Sequence, residues 1–191
     1  MERIGIFGGT FDPIHIGHLI TAQSLLEIRK LDKIIFIPCY ISPHKRHIQN
    51  SDPKHRLEIL KLSIQYQKQF DYSEIELNRG EVSYTIDTVR ELKKKYDSID
   101  LIIGFDNLIV FDSWKEPDEL FKLTNVVVMK RITDKEIEYK HKYFEMATII
   151  QSPYVELSST YIRKRVSQDL PIDFMVTYAA KEYILKNNLY R

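Results

Sequence analysis

The sequence has little cysteine, little glycine and almost no excess of either charge. Cys39 is the single cysteine among 191 residues, which excludes an internal disulfide and favours a reduced compartment. A catalytic thiol at Cys39 is not favoured. The net charge of +1 lacks the basic excess that long nucleic-acid tracts require, so we expect no nucleic-acid partner.

Long apolar runs are also missing. No segment approaches the ~20 consecutive apolar residues that a membrane-spanning helix needs, and the first residues lack the basic, apolar and small order of a signal peptide. We therefore expect a cytoplasmic protein with no membrane partner. The hydrophobic content of 43% and the charged content of 29% suit a single domain over residues 1–191.

Four short apolar segments are typical of buried parallel strands: Ile4–Phe7, Lys33–Pro38, Leu101–Gly104 and Asn125–Met129. Apolar residues at three- and four-residue spacing predict helices between them at Leu19–Arg29, Lys54–Gln67 and Thr85–Lys95. This alternation predicts a doubly wound, Rossmann-like α/β fold with a mostly parallel sheet and helices on both faces, over about residues 1–150. Helical patterns at Ser159–Ser167 and Phe174–Lys186 predict a small C-terminal helical cap over about 151–191.

Glycine is concentrated at one turn. Four of the six glycines lie between Gly5 and Gly17, directly after the first predicted strand, where doubly wound sheets bind ligands. We expect Gly8 and Gly9 to adopt backbone angles closed to other residues and to let main-chain N–H groups approach a phosphate. The pattern is neither GxGxxG nor GxxxxGK[ST], so it indicates a different nucleotide-binding fold.

Two histidines follow the glycines. His15 and His18 are three residues apart at a predicted helix start, so we expect both rings on one face near the positive end of the helix dipole. Gly17 between them would let a ligand press against the helix. Two surface histidines beside a turn glycine, or a zinc pair, are the alternatives. The glycine cluster favours phosphate binding and no fixed protein metal site.

Four later segments have both a structural and a functional interpretation. The 38–53 connection contains Pro43, His44 and Lys45 and is either a solvated basic loop or a lid with Lys45 on phosphate. The Ser83–Thr88 segment is a good helix start. Trp114, the single tryptophan, is a core aromatic or a ligand-stacking residue. The Leu157–Arg165 segment is a capped helix whose start suits a phosphate.

These motifs together resemble a known family. The segment GGTFDPIHIGH, residues 8–18, is similar to the HxGH signature of the nucleotidyltransferase superfamily, and its form is most similar to bacterial nicotinate-nucleotide adenylyltransferases. Pro-His-Lys after the second strand, SYTIDT, GxDxxxxFxxWK and SSTYIR also resemble that family. The family usually has Arg-Pro-Gly after the fourth predicted strand, whereas this chain has Lys130-Arg131-Ile132, so no role is carried over there.

The resemblance implies site roles. It implies catalysis by His15, His18, Lys45 and Arg163. It implies ATP binding by Gly8, Gly9, Thr10, Phe11, Gly104, Asp106, Ser158, Ser159, Thr160 and Ile162. It implies nicotinate-nucleotide binding by Tyr84, Thr85, Trp114 and Lys115. The role of Asp12, in a ligand contact or in the turn alone, stays open.

The implied reaction is adenylyl transfer from ATP to nicotinate mononucleotide, giving deamido-NAD and pyrophosphate. We expect cationic groups to dominate the site and Mg²⁺ to arrive with ATP. Nicotinamide mononucleotide or phosphopantetheine as the acceptor, a catalytically silent nucleotide-binding module, and an RNA-binding protein are the alternatives. A homo-oligomer is compatible with the sequence.

Overall fold

The computed structural model of the protein describes residues 2–43, 50–130, 141–153 and 155–191. Six strands form one sheet in the order β3-β2-β1-β4-β5-β6, and every neighbouring pair is parallel. The strands are β1 Arg3–Gly9, β2 Lys33–Pro38, β3 Phe70–Tyr72, β4 Ser98–Gly104, β5 Asn125–Lys130 and β6 Thr148–Gln151. The predicted doubly wound α/β class is therefore confirmed.

Burial explains which strands the sequence revealed. The four predicted strands are β1, β2, β4 and β5, whose central residues are buried on both faces and so give continuous apolar runs. The edge strands β3 and β6 are three and four residues long and largely exposed. Strands this short and polar leave no periodic signal, and both were missed.

The helices are α1 Ile16–Ile28, α2 Pro53–Ile64, α3 Ile75–Arg79, α4 Thr85–Lys93, α5 Phe105–Ile109, α6 Pro117–Leu123, α7 Tyr143–Met146, α8 Ser159–Ser167 and α9 Tyr178–Lys186, with a 3-10 turn at Phe111–Ser113. Capping sets several starts. Asp52 accepts the Lys54 N–H at 2.8 Å before α2, and Thr177 accepts the Ala180 N–H before α9. Phe174 has a φ of 61°, so α9 begins later than predicted.

Two hydrophobic cores lie on opposite faces of the sheet. The first contains apolar residues of α1, α2, α8 and α9, including Leu25, Leu60, Ile162 and Ile184. The second contains residues of α4, α5, α6 and α7, including Val89, Leu108 and Leu120. The C-terminal helices α8 and α9 are thus part of the first core. In the described chain, no helix combines the length and apolar character needed to cross a membrane.

Candidate active site

Two adjoining cavities lie at the carboxyl ends of β1 and β4, where the strand order reverses. The histidine cavity is bordered by His15, His18, Ser158, Ser159, Thr160 and Arg163. The tryptophan cavity is bordered by Gly8, Gly9, Tyr84, Thr85, Trp114 and Lys115. Thr10, Gly104 and Asp106 border both cavities. Four separate chain segments therefore bring most of the predicted site residues to one junction.

The glycines at the end of β1 leave space that a side chain would fill. The expectation of unusual backbone angles was wrong, because neither Gly8 nor Gly9 has a positive φ and both still pair with β2. A Cβ on Gly8 would meet no atom within 4 Å, so a side chain there would extend into open space beside the tryptophan cavity. A Cβ on Gly9 would lie 2.9 Å from the Phe11 ring. Phe11 takes the left-handed conformation, with a φ of 49°.

The two histidines form a stacked pair. His15 is the N-cap residue of α1, and its ring centroid lies 3.7 Å from that of His18, with 30° between the planes. A Cβ on Gly17 would lie 3.1 Å from the His15 ring. Gly17 therefore makes room for His15, and it also borders the histidine cavity. Phe11 packs edge-on against His18 at 5.3 Å.

Hydrogen bonding and burial define the protonation state of this pair. The His15 main-chain N–H donates to His18 Nδ1 at 3.2 Å, which assigns the proton of a neutral His18 to Nε2. Burial lowers the pKa of His15 from 6.5 to about 4. Burial, and secondarily the charge of His15, lower the pKa of His18 well below 6.5. Both imidazoles are thus neutral near pH 7 in the substrate-free protein.

His15 Nδ1 is buried and has no hydrogen-bond partner among the described residues. Such an atom is costly unless a ligand or water meets it. No group of three or more His, Cys, Asp and Glu side chains in the described ranges is placed to hold a metal ion. His15 Nδ1 lies against the start of α1, where a Cβ on Gly17 would be 3.1 Å from it.

Helix α8 is fixed directly to the turn after β1. Ser158 accepts the Tyr161 N–H at 3.1 Å as the N-cap, and Ser159 Oγ donates to the Pro13 carbonyl at 2.8 Å. Arg163 donates to the Asp12 carbonyl at 2.7 Å and to Thr160 Oγ1 at 3.3 Å. These contacts hold the guanidinium at the wall of the histidine cavity.

Both carboxylate oxygens of Asp12 accept hydrogen bonds from other residues of the protein. One oxygen accepts the Ser51 N–H at 3.0 Å, and the other accepts the Tyr190 hydroxyl at 3.0 Å. Burial, and secondarily the Asp12 charge, raise the pKa of Tyr190 above its usual range. Asp12 therefore shapes the turn, and it also borders the histidine cavity.

Two residues expected to bind ATP have buried side chains. Phe11 is 3% exposed and Ile162 is 0% exposed, and both belong to the first core. Neither borders a cavity. Each of these apolar side chains lies in the core beneath the cavity, while polar neighbours border the cavity. ATP binding by Phe11 and Ile162 therefore stays a prediction that concerns their main-chain atoms.

The tryptophan cavity combines aromatic and charged walls. Trp114 stacks on Phe111 with centroids 4.8 Å apart. Lys115 Nζ lies 3.0 Å from Asp87 and 4.8 Å from the centre of the Tyr84 ring. The N-cap residue of α4, Tyr84, makes no side-chain capping bond. The start of α4 therefore borders this cavity without a side-chain acceptor from the N-cap residue.

Glu76 borders the tryptophan cavity and was not identified from the sequence. It is 6% exposed and accepts the Thr88 hydroxyl at 2.7 Å. Burial raises the pKa of Glu76, while hydrogen bonds from Thr88 and Ser83 oppose that rise. No sequence signal marks it, because a glutamate on a five-residue helix is indistinguishable from a solvated one.

Arg56 was also missed. Its side chain is 0% exposed and donates to main-chain carbonyls of Thr10, Cys39 and Ser51 at 2.7, 2.9 and 3.1 Å. A signal was present, since Arg56 shares the three- and four-residue spacing of the buried Ile59 and Leu60. Lys45 and Arg131 lie outside the described residues.

The comparisons with known proteins agree with this geometry. Residues 6–165 match the model of the cytidylyltransferase-like family. A "probable nicotinate-nucleotide adenylyltransferase" of Caldicellulosiruptor bescii is 40% identical over 99% of this chain and 99% of its own. One of Borrelia hermsii is 39% identical over 98% of this chain and 97% of its own.

Solved structures show the same fold. A nicotinic acid mononucleotide adenylyltransferase of Plasmodium falciparum, complexed with NaAD, covers 100% of this chain and 98% of its own with a TM-score of 0.79 and 21% identity. A putative nicotinate-nucleotide adenylyltransferase of Vibrio parahaemolyticus has a TM-score of 0.70 at 21% identity, covering 97% and 99%. With the paired cavities, the stacked histidines and the near full-length relatives, the chain belongs to the cytidylyltransferase-like family and, within it, to the nicotinate-nucleotide adenylyltransferases.

Proposed function

We propose that the protein transfers the adenylyl group of ATP to nicotinate mononucleotide, giving deamido-NAD and pyrophosphate. The observation that carries this proposal is the pair of adjoining cavities with a shared wall of Thr10, Gly104 and Asp106. A transferase needs two substrates bound side by side with their reacting phosphates at the boundary. The relatives that this chain matches are described by the same activity.

ATP would occupy the histidine cavity. The triphosphate would lie along His15, His18 and the start of α8, where Thr160 offers a hydroxyl and the N–H groups of the first turn favour an anion. Gly104 and Asp106 would meet the nucleotide hydroxyls. Arg163 and Lys45 would contact the leaving pyrophosphate.

Nicotinate mononucleotide would occupy the tryptophan cavity. Its ring would pack against Trp114, and its carboxylate would face the N–H groups at the start of α4, beside Tyr84 and Thr85. A helix start favours an anion over a neutral amide, which gives the acceptor preference a physical basis. Lys115 is already paired with Asp87, so we assign it a supporting role in holding Tyr84.

The reaction would be an in-line displacement. An oxygen of the acceptor phosphate attacks the α-phosphorus of ATP, a new P–O bond forms, and the bond from the α-phosphorus to the bridging oxygen breaks. Pyrophosphate leaves with that oxygen and its electron pair. The acceptor phosphate is largely dianionic at pH 7, because its second pKa is near ~6, so no general base is required.

The histidines would act as hydrogen-bond donors to developing charge. A neutral His18 donates through Nε2, and the negative triphosphate would raise the pKa of both rings and draw a proton onto them. Buried donors held in place before the reaction stabilise charge more effectively than water does. The tight stacking of the pair therefore supports positioning rather than acid–base exchange.

Mg²⁺ enters this proposal as a companion of ATP, held mainly by phosphate oxygens and water. The described side chains include no cluster of three potential metal ligands. We assign no step of the reaction to the ion.

The test compares acceptors with the purified wild-type protein. Pyrophosphate release is measured with ATP and one of nicotinate mononucleotide, nicotinamide mononucleotide or phosphopantetheine. We expect the highest kcat/KM with nicotinate mononucleotide. Equal or greater turnover with phosphopantetheine would overturn the proposed acceptor, and tight ATP binding without any turnover would indicate a catalytically silent module.

A further inference from the structure

Arg56 is a buried cation at the centre of the molecule. It lies on the inner face of α2 and is among the largest side chains that are fully buried. Its guanidinium is not part of the mechanism above. A buried arginine is unusual unless a carboxylate is paired with it.

The guanidinium joins three separate segments. Nη1 donates to the carbonyls of Thr10 and Cys39 at 2.7 and 2.9 Å. Nη2 donates to Tyr40 at 3.5 Å, and Nε donates to Ser51 at 3.1 Å. The end of β1, the end of β2 and the approach to α2 are thus held by one side chain.

No carboxylate lies within ion-pair distance of Arg56 among the described residues. The buried Asp100 differs, since it is paired with Arg29 at 2.7 Å. Four main-chain carbonyls accept hydrogen bonds from Arg56, and none of the described carboxylates pairs with its charge. Burying such a charge is costly, and an apolar side chain of similar volume would fill the space at lower cost.

The segments held by Arg56 border both cavities. Thr10 is part of the shared wall, and Cys39 borders the tryptophan cavity. Asn50, next to Ser51, borders the histidine cavity. The Ser51 N–H is held in turn by Asp12. A shift of Arg56 would therefore move the junction where the two phosphates meet.

We propose that Arg56 is a positioning residue of the transfer reaction: it fixes Thr10, Cys39, Tyr40 and Ser51 in one arrangement, and its uncompensated positive charge favours phosphate at the junction. The inference rests on the proposed function. The negative charge that balances Arg56 is then supplied by the substrates.

The test uses two variants and a matched control. Arg56→Met removes the charge and the hydrogen bonds at similar volume, and Arg56→Lys keeps the charge but loses the four-carbonyl geometry. Arg3→Met, at the opposite end of β1, is the control for an arginine outside the site. Folding is checked by circular dichroism, and kinetics are measured well below the melting temperature of each variant.

For folded Arg56→Met we expect kcat/KM to fall on the order of 10²-fold, as is typical when hydrogen bonds to a charged group are lost, and the Kd for inorganic pyrophosphate to rise about tenfold. Arg56→Lys should lower kcat about tenfold while its pyrophosphate Kd stays within about threefold of wild type. Arg3→Met should match wild type in both.

A structural role alone would lower the melting temperature without moving these constants. The inference is overturned if folded Arg56→Met keeps kcat/KM and the pyrophosphate Kd within about twofold of wild type. If Arg56→Met does not fold, a normal kcat in Arg56→Lys overturns it. If the wild-type protein fails to turn over ATP with nicotinate mononucleotide, the proposed function is contradicted instead. The pyrophosphate Kd of Arg56→Met, compared with that of wild type, then tests whether the Arg56 charge favours phosphate.

Discussion

The two cavities differ in how they are built. The histidine cavity is lined by imidazoles, hydroxyls and a helix start, drawn from segments near both ends of the chain and tied together by hydrogen bonds to main-chain carbonyls. The tryptophan cavity is lined by two aromatic side chains, Trp114 and Tyr84, by the buried Glu76 and by Lys115. The first arrangement suits multiple negative charges, and the second suits a flat ring with one charge. Their shared wall explains how two unlike ligands can react.

The largest expected effect is on catalysis in the histidine cavity. Replacing His18 by Ala removes a buried donor aimed at developing charge, and we expect kcat to fall on the order of 10²-fold while the fold is kept. Steady-state pyrophosphate release measures this, with His55→Ala as the control for a histidine outside both cavities. A folded His18→Ala protein with a near-normal kcat would show that the histidine cavity does not supply the catalytic donor.

The second prediction concerns pH and the stability of the substrate-free protein. Burial lowers the pKa of His15 from 6.5 to about 4, so between those values the unfolded chain binds a proton that the folded chain does not. The stabilising contribution is complete above pH 6.5 and is lost as the pH falls to about 4. The loss is roughly 3 kcal/mol in the free energy of unfolding.

Denaturant titrations near neutral pH and near pH 4 check this, with wild type compared against His15→Gln, which cannot titrate there. The variant should lose less stability on acidification. An identical pH dependence in the two proteins would show that His15 titrates normally. Carboxylates titrate in both proteins and therefore cancel in the comparison.

The third prediction isolates the tryptophan cavity. Trp114→Ala should raise the KM for nicotinate mononucleotide about tenfold, because stacking of a base-like ring on an aromatic side chain contributes about 1–3 kcal/mol. The KM for ATP should change less than about twofold, and Trp114→Phe should give an intermediate value. If only the KM for ATP rose, ATP rather than nicotinate mononucleotide would be assigned to the tryptophan cavity.

The smallest effect is expected for the hydrogen bond between Tyr190 and Asp12. Tyr190→Phe removes only the hydroxyl that Asp12 accepts at 3.0 Å, and we expect the free energy of unfolding to fall by about 1 kcal/mol with kcat nearly unchanged. Thermal denaturation measures this against Tyr66→Phe, whose side chain is 90% exposed. A large fall in kcat would give Asp12 a more direct role in the reaction.

The sequence predicted the fold where burial was strong and the site where short motifs were dense. Continuous apolar runs identified β1, β2, β4 and β5, and the glycine and histidine cluster identified the turn after β1. Edge strands such as β3 have too few buried residues to be recognised. Helix starts were harder to predict. Phe174, for example, takes a positive φ that no sequence pattern predicts.

What the sequence could not predict was the environment of individual side chains. The low pKa of His15 depends on its burial in the folded protein. The unpaired charge of Arg56 depends on which carbonyls converge on it. Because Gly17 has no side chain, the His15 ring can lie against it, and this contact is visible only in the folded turn.

The most direct measurement follows the α-phosphorus of ATP. The wild-type protein is incubated with nicotinate mononucleotide and with ATP labelled at that atom, and the products are separated. We predict that the label appears in deamido-NAD, in equal amount to the pyrophosphate released. Label that is found in free AMP, or that stays in ATP although ATP binds, would contradict adenylyl transfer at the junction of the two cavities.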